Sequence, residues 1–318
     1  MKFYAILCTR DEDDIIEQSL RALTRWADRV YVFDTGSVDQ TWDIVQEVSR
    51  TNPTVVTVAR EPLWFADQVR GYVFDLVRPD FREGDWIARV DSDEFYHVSP
   101  PEFVRRHLKA HETCVYHQYY DFWLTKTEAR ALSSLPAVTA ERIKPIVERR
   151  RFYIPSLYAE PRLCRYRARM HWPASHTFPV NAGFIAKPRM PIRHYPNRDP
   201  LQMQKRTRLR AMMIEAKESA GLFTQVHHWR ETDWKQHLVD EDDPRLACYV
   251  PGADLKSPGY ENHVATRRKR VFQRLLNVVL VPFLDQHRRR QPVFKPARLP
   301  DTLQSQLRDE VKQYAVGS

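Results

Sequence analysis

The sequence predicts an α/β protein with a mostly parallel central sheet flanked by helices. Three observations carry that expectation. Strand-like and helix-like segments alternate through about the first hundred residues. An apolar fraction of 42% over 318 residues supplies material for a substantial core. Polar and acidic clusters sit where the strand-like segments end, as they do along the ligand-binding edge of an open parallel sheet.

Each element follows from its own pattern. KFYAILC (2–8) reads as a strand, IIEQSLRALTRWA (15–27) as an amphipathic helix, RVYVFD (29–34) as a strand and TWDIVQEVSR (41–50) as a helix. The β-branched TVVTVA (54–59) is again strand-like, 66–77 is helix-like, and the apolar run Trp86 to Val90 closes the series. TCVYHQYYDFWL (113–124) is rich in β-formers and is expected to extend the sheet. Residues 130–200 carry prolines and aromatics in short broken runs, which predicts loops and irregular strands. LQMQKRTRLRAMMIEAKES (201–219) is a helix begun by Asp199 and Pro200 and ended near Gly221.

Composition narrows the class. Four widely spaced cysteines suggest neither a disulfide framework nor a zinc knuckle, which fits a reducing cytoplasm. The N-terminal apolar run is followed at once by acids, the wrong sequel for a signal peptide. Val271 to Leu284 is the longest apolar segment and falls below the roughly 20 residues that span a bilayer. The net charge is +9, and Arg267, Arg268, Lys269, Arg270 and Arg288, Arg289, Arg290 flank that segment. Such flanks suit peripheral contact with an anionic membrane, at the inner face for a cytoplasmic protein; a core-packed terminal helix with solvated arginines explains them equally well. No nucleic-acid-binding motif accompanies the charge, so no nucleic acid is expected.

The strand ends carry the chemistry. They run into Thr9, Arg10, Asp11 and Glu12; into Asp34, Thr35, Gly36, Ser37 and Asp39; into Arg60 and Glu61; and into Asp91, Ser92, Asp93 and Glu94. Residues two apart on an extended segment share a side, so Asp91 and Asp93 can converge on one point while Ser92 faces away. Two such carboxylates suit a hard dication completed by waters and phosphates. An acidic turn with exposed side chains also accounts for the triplet, but its position after an apolar strand favours a site. Only eight glycines are present and none form a phosphate-cradling loop, so a nucleoside diphosphate would be neutralised by metal and basic side chains.

DTGSVDQTWDIV (34–45), the Trp64–Arg70 segment and DWIARVDSDEF (85–95), in this order and spacing, resemble the family 2 glycosyltransferases, bacterial-type enzymes with the nucleotide-sugar-binding GT-A fold. The likeness covers roughly residues 1–125 and continues more loosely through PRLCRYRARMHWPASHTF (161–178) and RHYPNRDPLQMQKR (193–206). It implies a Rossmann-like GT-A domain over 1–220, divided into a nucleotide-sugar half (1–125) and an acceptor half (126–220), then a largely helical basic extension over 221–318.

The resemblance also implies roles. Thr9 and Arg10 line the nucleoside pocket, Asp34 hydrogen-bonds the base or ribose, and Asp67, Arg70 and Ser92 belong to the donor site. Arg70 contacts the pyrophosphate or steadies the aspartates. Asp91 and Asp93 match the metal-binding Asp-x-Asp, for Mn2+ or Mg2+, with Glu94 orienting it. His194 is a third metal ligand or a phosphate contact, and His176 is a second candidate, although Thr177 stands where many relatives carry glutamate. Ser37 and Asp39 shape their turn and cap the next helix. The Glu-Asp pair that usually supplies the catalytic base is not recognisable, which leaves Asp121 and Glu160 as candidates by position. The expected partners are a nucleotide-sugar donor and a glycan or lipid-linked acceptor, as in polysaccharide biosynthesis, with inversion at the anomeric carbon. The rivals are a sugar nucleotidyltransferase, against which the acidic CTRDEDD stands, and a noncatalytic membrane- or nucleic-acid-binding protein.

Overall fold

The computed structural model describes residues 1–64, 66–174, 176–222, 233–256, 271–272, 275 and 294–314. Strands β1 (Phe3–Thr9), β2 (Arg29–Asp34), β3 (Val55–Arg60) and β4 (Trp86–Val90) are all parallel, in the order β4-β1-β2-β3. Helices α1 (Ile16–Leu23), α2 (Thr41–Thr51) and α3 (Val69–Val77) connect them. The strand period of two divides their side chains between two cores. Phe3, Ala5, Leu7, Val30, Val32 and Ala88 pack with Leu20, Val45 and Val48 of the first two helices. Tyr4, Ile6, Tyr31, Phe33 and Ile87 pack with Val73 and Phe74 of α3. A sheet covered on both faces needs near-continuous apolar strands, which is why these segments were legible.

The second half of the sheet is mixed. After the edge strand β5 (Glu94–Tyr96) and helix α4 (Pro100–His107) comes the long β6 (Glu112–Phe122), the expected extension. It does not pair with β4. With β7 (Phe152–Pro155) as the next strand in the chain, β8 (Pro161–Arg165) inserts antiparallel between β4 and β6. Beyond β6 lie β7 and, at the edge, a two-residue strand at Ala247–Cys248. Short β9 (Phe184–Ile185) and β10 (Met190–His194) run parallel to β6, and β10 also pairs antiparallel with β5.

Residues 130–200 are therefore more regular than expected, with helices α5 (Lys126–Ala131), α6 (Leu135–Arg142) and α7 (Ile146–Arg149) beside these strands. Their start signals were present: Thr125 and Glu128 form a capping box, and Ser134 caps α6. The elements are too short to show a helical period. Helix α8 (Pro200–Ser219) begins where expected, with Asp199 accepting the Gln202 N–H.

Of the described parts of 221–318, residues 233–256 and 294–314 pack on the body. Helix α9 (Asp301–Val311) places Leu303, Leu307 and Val311 against Leu209, Met213 and Trp64, and Leu63 bridges Arg298. The basic flanks at 267–270 and 288–290 lie outside the described residues, as does nearly all of 271–284. Among the described residues no helix is long and apolar enough to cross a membrane.

Candidate active site

The carboxyl ends of β1, β2 and β4 open on a cavity of about 570 Å³, walled on one side by β6 and β8 and on the other by α8. Thr9, Arg10, Asp67, Arg70, Asp91, Ser92, Asp93, Asp121, Glu160 and His194 all line it. Asp34 and His176 do not. Asp34 is fully buried, and its Oδ1 accepts the Gly36 and Ser37 N–H groups, both at 2.7 Å. It shapes the turn through Oδ1, while Oδ2 is buried without a hydrogen-bond partner among the described residues. That turn requires glycine: Gly36 has φ +98°, and a Cβ there would lie 2.5 Å from Pro62 Cα. His176 is exposed on a loop and offers its backbone carbonyl to Trp172.

Ser37 and Asp39 hold backbone. The Ser37 hydroxyl accepts from Asp11 N–H, and Asp39 Oδ1 accepts from Thr41 N–H at the start of α2. Ser92 donates to the Thr9 hydroxyl at 2.8 Å and ties β4 to β1 at the cavity floor. Arg10 points Nη1 at the carbonyls of Thr35 and Leu63, both 3.1 Å away.

Asp91 is placed differently from a free metal ligand. Arg70 takes its Oδ1, and Arg162 takes its Oδ2 at 2.9 Å. Burial opposes its charge, but Arg70, Arg162 and Arg89 outweigh it and hold the carboxyl well below the usual range. Arg162 also pairs with Glu94 at 2.8 Å and with Glu160. Glu94 accepts from Tyr119 Oη at 3.1 Å and receives the Asp91 N–H at 3.2 Å. Burial, with the Asp91 charge against it, pushes Glu94 up to about 7 despite Arg162.

Asp93, His194 and Asp121 form a chain. Strand register builds it: His194 on β10 is the partner of Asp121 on β6 and of Glu94 on β5, and the Tyr195 N–H donates to the Asp93 carbonyl at 2.9 Å. His194 Nδ1 lies 2.7 Å from Asp121 Oδ1, and Nε2 lies 3.5 Å from Asp93 Oδ2. Burial disfavours the imidazolium, yet Asp93 and Asp121 outweigh it and raise the pKa well above the ordinary value. Burial works against Asp93 too, but His194 and Arg198 hold its carboxyl at about 2.

This donor set fits a dication in part. Among the described residues no three His, Cys, Asp or Glu side chains surround one point. Asp93 and His194 offer one carboxylate and one imidazole whose far nitrogen a second carboxylate fixes, the usual support for a metal-bound histidine. The negative surroundings that favour a proton on His194 favour a cation in its place.

The two candidate bases differ. Glu160 Oε1 pairs with Arg162 and with Arg89 at 3.1 Å and accepts from Tyr119, while Oε2 accepts from Tyr158 at 3.1 Å. Burial raises its pKa, and Arg162 and Arg89 more than reverse that. Asp121 is engaged through Oδ1 alone among the described residues.

Several lining residues escaped sequence reasoning. Arg162, Arg89 and Tyr119 lie on strands whose pairing the periodicity does not reveal, and Arg206 and Arg210 face inward from α8 one turn apart. Arg206 is steadied by Pro196 O and by Asn197 Oδ1 at 2.6 Å. The one available signal was an arginine two residues after Glu160, on a short strand-like run.

A parallel sheet whose carboxyl edge opens on a cavity lined by carboxylates, arginines and a histidine defines an α/β protein with a polar ligand site at its strand ends. Residues 4–161 match the family described as glycosyl transferase family 2, and the chain belongs to that family, with the GT-A fold the family carries. A search of curated proteins finds no match. Among solved structures the chain is similar to mannosyltransferase PcManGT from Pyrobaculum calidifontis in complex with GDP-Man and Mn2+, at 15% identity and a TM-score of 0.30, over 39% of this chain and 36% of that one. It is also similar to glucosyl-3-phosphoglycerate synthase from Mycobacterium tuberculosis in complex with phosphoglyceric acid, at 20% identity and a TM-score of 0.23, over 45% and 51%. The chain thus covers about half or less of each neighbour's length.

Proposed function

We propose that the protein is a glycosyltransferase that moves a sugar from a nucleotide-diphosphate sugar to an acceptor hydroxyl of a glycan or lipid-linked saccharide, with a divalent cation and with inversion. The observation that carries the reading is the gathering, around one cavity, of the Asp93–His194 pair, the guanidiniums of Arg70, Arg162, Arg206 and Arg210, and an Asp121 carboxylate with one oxygen unengaged among the described residues. Thr9 and Arg10 stand at the nucleoside end. The arginines balance the diphosphate charge, and Asp91 holds Arg70 and Arg162 in position to do so. When bound, Mn2+ or Mg2+ on Asp93 and His194 supplies Lewis-acid stabilisation of the diphosphate. The acceptor oxygen forms its bond to the anomeric carbon as the bond from that carbon to the phosphate oxygen breaks on the opposite face. Asp121 takes the hydroxyl proton, and His194 on its other oxygen orients it.

Incubation with UDP-, GDP- and dTDP-sugars tests this reading. Free nucleoside diphosphate is expected in the presence of Mn2+, and Asp93→Ala is expected to lower its release by about a hundredfold or more while melting like wild type. Pyrophosphate formed from a nucleoside triphosphate, or full activity in Asp93→Ala, would reject it.

A further inference from the structure

Two walls of the cavity are braced from outside by the C-terminal part of the chain. Between β3 and α3, Pro62, Leu63 and Trp64 lead to Ala66 and Asp67, which line the cavity. This arm is held on both sides. On the inner side the Leu63 N–H donates to the Thr35 carbonyl at 3.1 Å, and Arg10 Nη1 donates to the Leu63 carbonyl, also at 3.1 Å. On the outer side residues 297–299 run antiparallel to it. The Trp64 N–H donates to the Ala297 carbonyl at 2.9 Å, the Leu299 N–H donates to the Pro62 carbonyl at 2.8 Å, and Leu63 stands opposite Arg298.

Trp64 completes the contact. It is buried in one apolar cluster with Leu303 and Leu307 of α9 and with Leu209 and Met213 of α8, and those last two also line the cavity. Arg208 of α8 pairs with Glu310 of α9 at 3.5 Å. Helix α9 and the strand leading into it thus brace the arm, which carries Asp67, against α8, which carries Arg206 and Arg210. The route from the arm to the charged floor is short: Asp67 pairs with Arg70 at 3.0 Å, and Arg70 pairs with Asp91. An arm that drifts from α9 loosens Arg10 through Leu63 and Arg70 through Asp67. Asp121 and His194 stand apart, on β6 and β10, with β2, β1, β4 and β8 between β3 and β6. A loop that is free before binding must be ordered at the ligand's expense, whereas one fixed in advance need not be. Residues 297–311 lie outside the 4–161 by which the chain is placed in its family, so the family assignment does not call for this bracing.

We infer that residues 297–311 are a clamp that presets the donor wall of the cavity, with Leu303 and Leu307 as positioning residues that act through Trp64. The word donor rests on the transferase reading; the ordering of the arm does not. Leu307→Ala in the full chain tests it, since Leu307 does not itself line the cavity. Hydrogen–deuterium exchange over 61–64 and 69–74 is expected to rise by about tenfold or more, with β1 and β4 as protected as in wild type. UDP or GDP, whichever the wild type binds more tightly with Mn2+ present, should bind about tenfold more weakly by calorimetry, while kcat at saturating nucleotide sugar stays within about twofold. Leu303→Val, the milder change, should move exchange and affinity the same way by about threefold and serves if Leu307→Ala is not recovered folded. Unchanged exchange over 61–64, unchanged nucleotide affinity, or a fall in kcat with affinity intact would each overturn the inference. Equal loss of protection in β1 and β4 would overturn it too, by making α9 a general support of the fold. If the wild type binds neither nucleotide, the transferase reading fails, and exchange over 61–64 alone decides the clamp.

Discussion

Two charge networks lie near the carboxyl end of the parallel sheet, one of them anchored on the chain that follows β1, and they are built to different ends. In one, Arg198 joins Glu12 and Asp14, and Asp199 joins Arg142 and Arg149; the side chains of Asp14, Asp199, Arg149 and Arg198 are 0% exposed. In the other, Arg162 joins Asp91, Glu94 and Glu160, yet Asp91 stays 24% exposed and Glu160 13%, because the cavity opens onto them. The sealed network pins the start of α8 to the β1–α1 loop. The open one presents charge to whatever enters. Burying ion pairs yields little net stability, but removing one partner of a sealed pair is costly. An open network can exchange a lost partner for water or a ligand, so its members are the ones available for chemistry.

The largest expected effect lies on the open side. Asp121→Asn keeps the shape and removes the proton acceptor, and should lower kcat by about 10²- to 10⁴-fold with nucleotide affinity preserved. Glu160→Gln should cost about tenfold or less, since its oxygens are already committed to Arg162, Arg89, Tyr119 and Tyr158. Steady-state kinetics on both variants decide the matter. The reverse order would transfer the base role to Glu160.

The sealed side should show its effect in stability. Arg198→Met strands the buried Asp14 and is expected to cost about 3–5 kcal/mol in urea unfolding. Arg162→Met leaves Asp91 with Arg70 and Glu160 with Arg89 and strands only Glu94, whose carboxyl, pushed by burial up to about 7, can take a proton in place of the guanidinium, so it should cost less, about 1–3 kcal/mol. Equal losses would erase the distinction between the two networks.

What could be read in the sequence follows the same division. The parallel half was legible because strands covered on both faces must be apolar throughout, and because acids after such strands stand out. His194 was reachable through its basic-aromatic surroundings. The insertion of β8 beside β4 was not, since pairing between strands about 70 residues apart leaves no local period. Arg162 and its hold on Asp91 were hidden with it, so Asp91 read as a free ligand. Asp34 shows a second limit: an acid at a strand end looks the same whether it faces a ligand or, as here, caps its own turn.

The smallest effect concerns the chain that follows β1. Asp11 adopts φ +56°, a conformation Asp and Asn both tolerate, and its Oδ1 accepts the Val38 N–H at 2.7 Å. Burial, reinforced by the Asp39 charge and only partly offset by Arg10 and Lys205, pushes its carboxyl up to about 6. Asp13 is pushed to about 6 in the same way, by burial and then Asp39. Both values lie above the unfolded pKa of about 3.9, so between those limits the folded state keeps protons the unfolded chain has released. Stability contributed by these two groups is therefore present at low pH and lost as pH rises through about 6. Asp14 runs the other way: burial opposes its charge, but Arg198, Arg142 and Arg149 hold it low, so its contribution is present above the unfolded pKa and lost only in strong acid. Between pH 5 and pH 7.5 these two groups favour the lower pH, against the buried neutral His117, which favours the higher. Asp11→Asn retains the acceptor for Val38 and removes one of the two groups, so the stability at pH 5 relative to that at pH 7.5 should fall by about 1 kcal/mol. Thermal melts of both proteins at the two pH values measure it, and an unchanged relative stability in Asp11→Asn would show that this carboxylate is not held in the folded state as described.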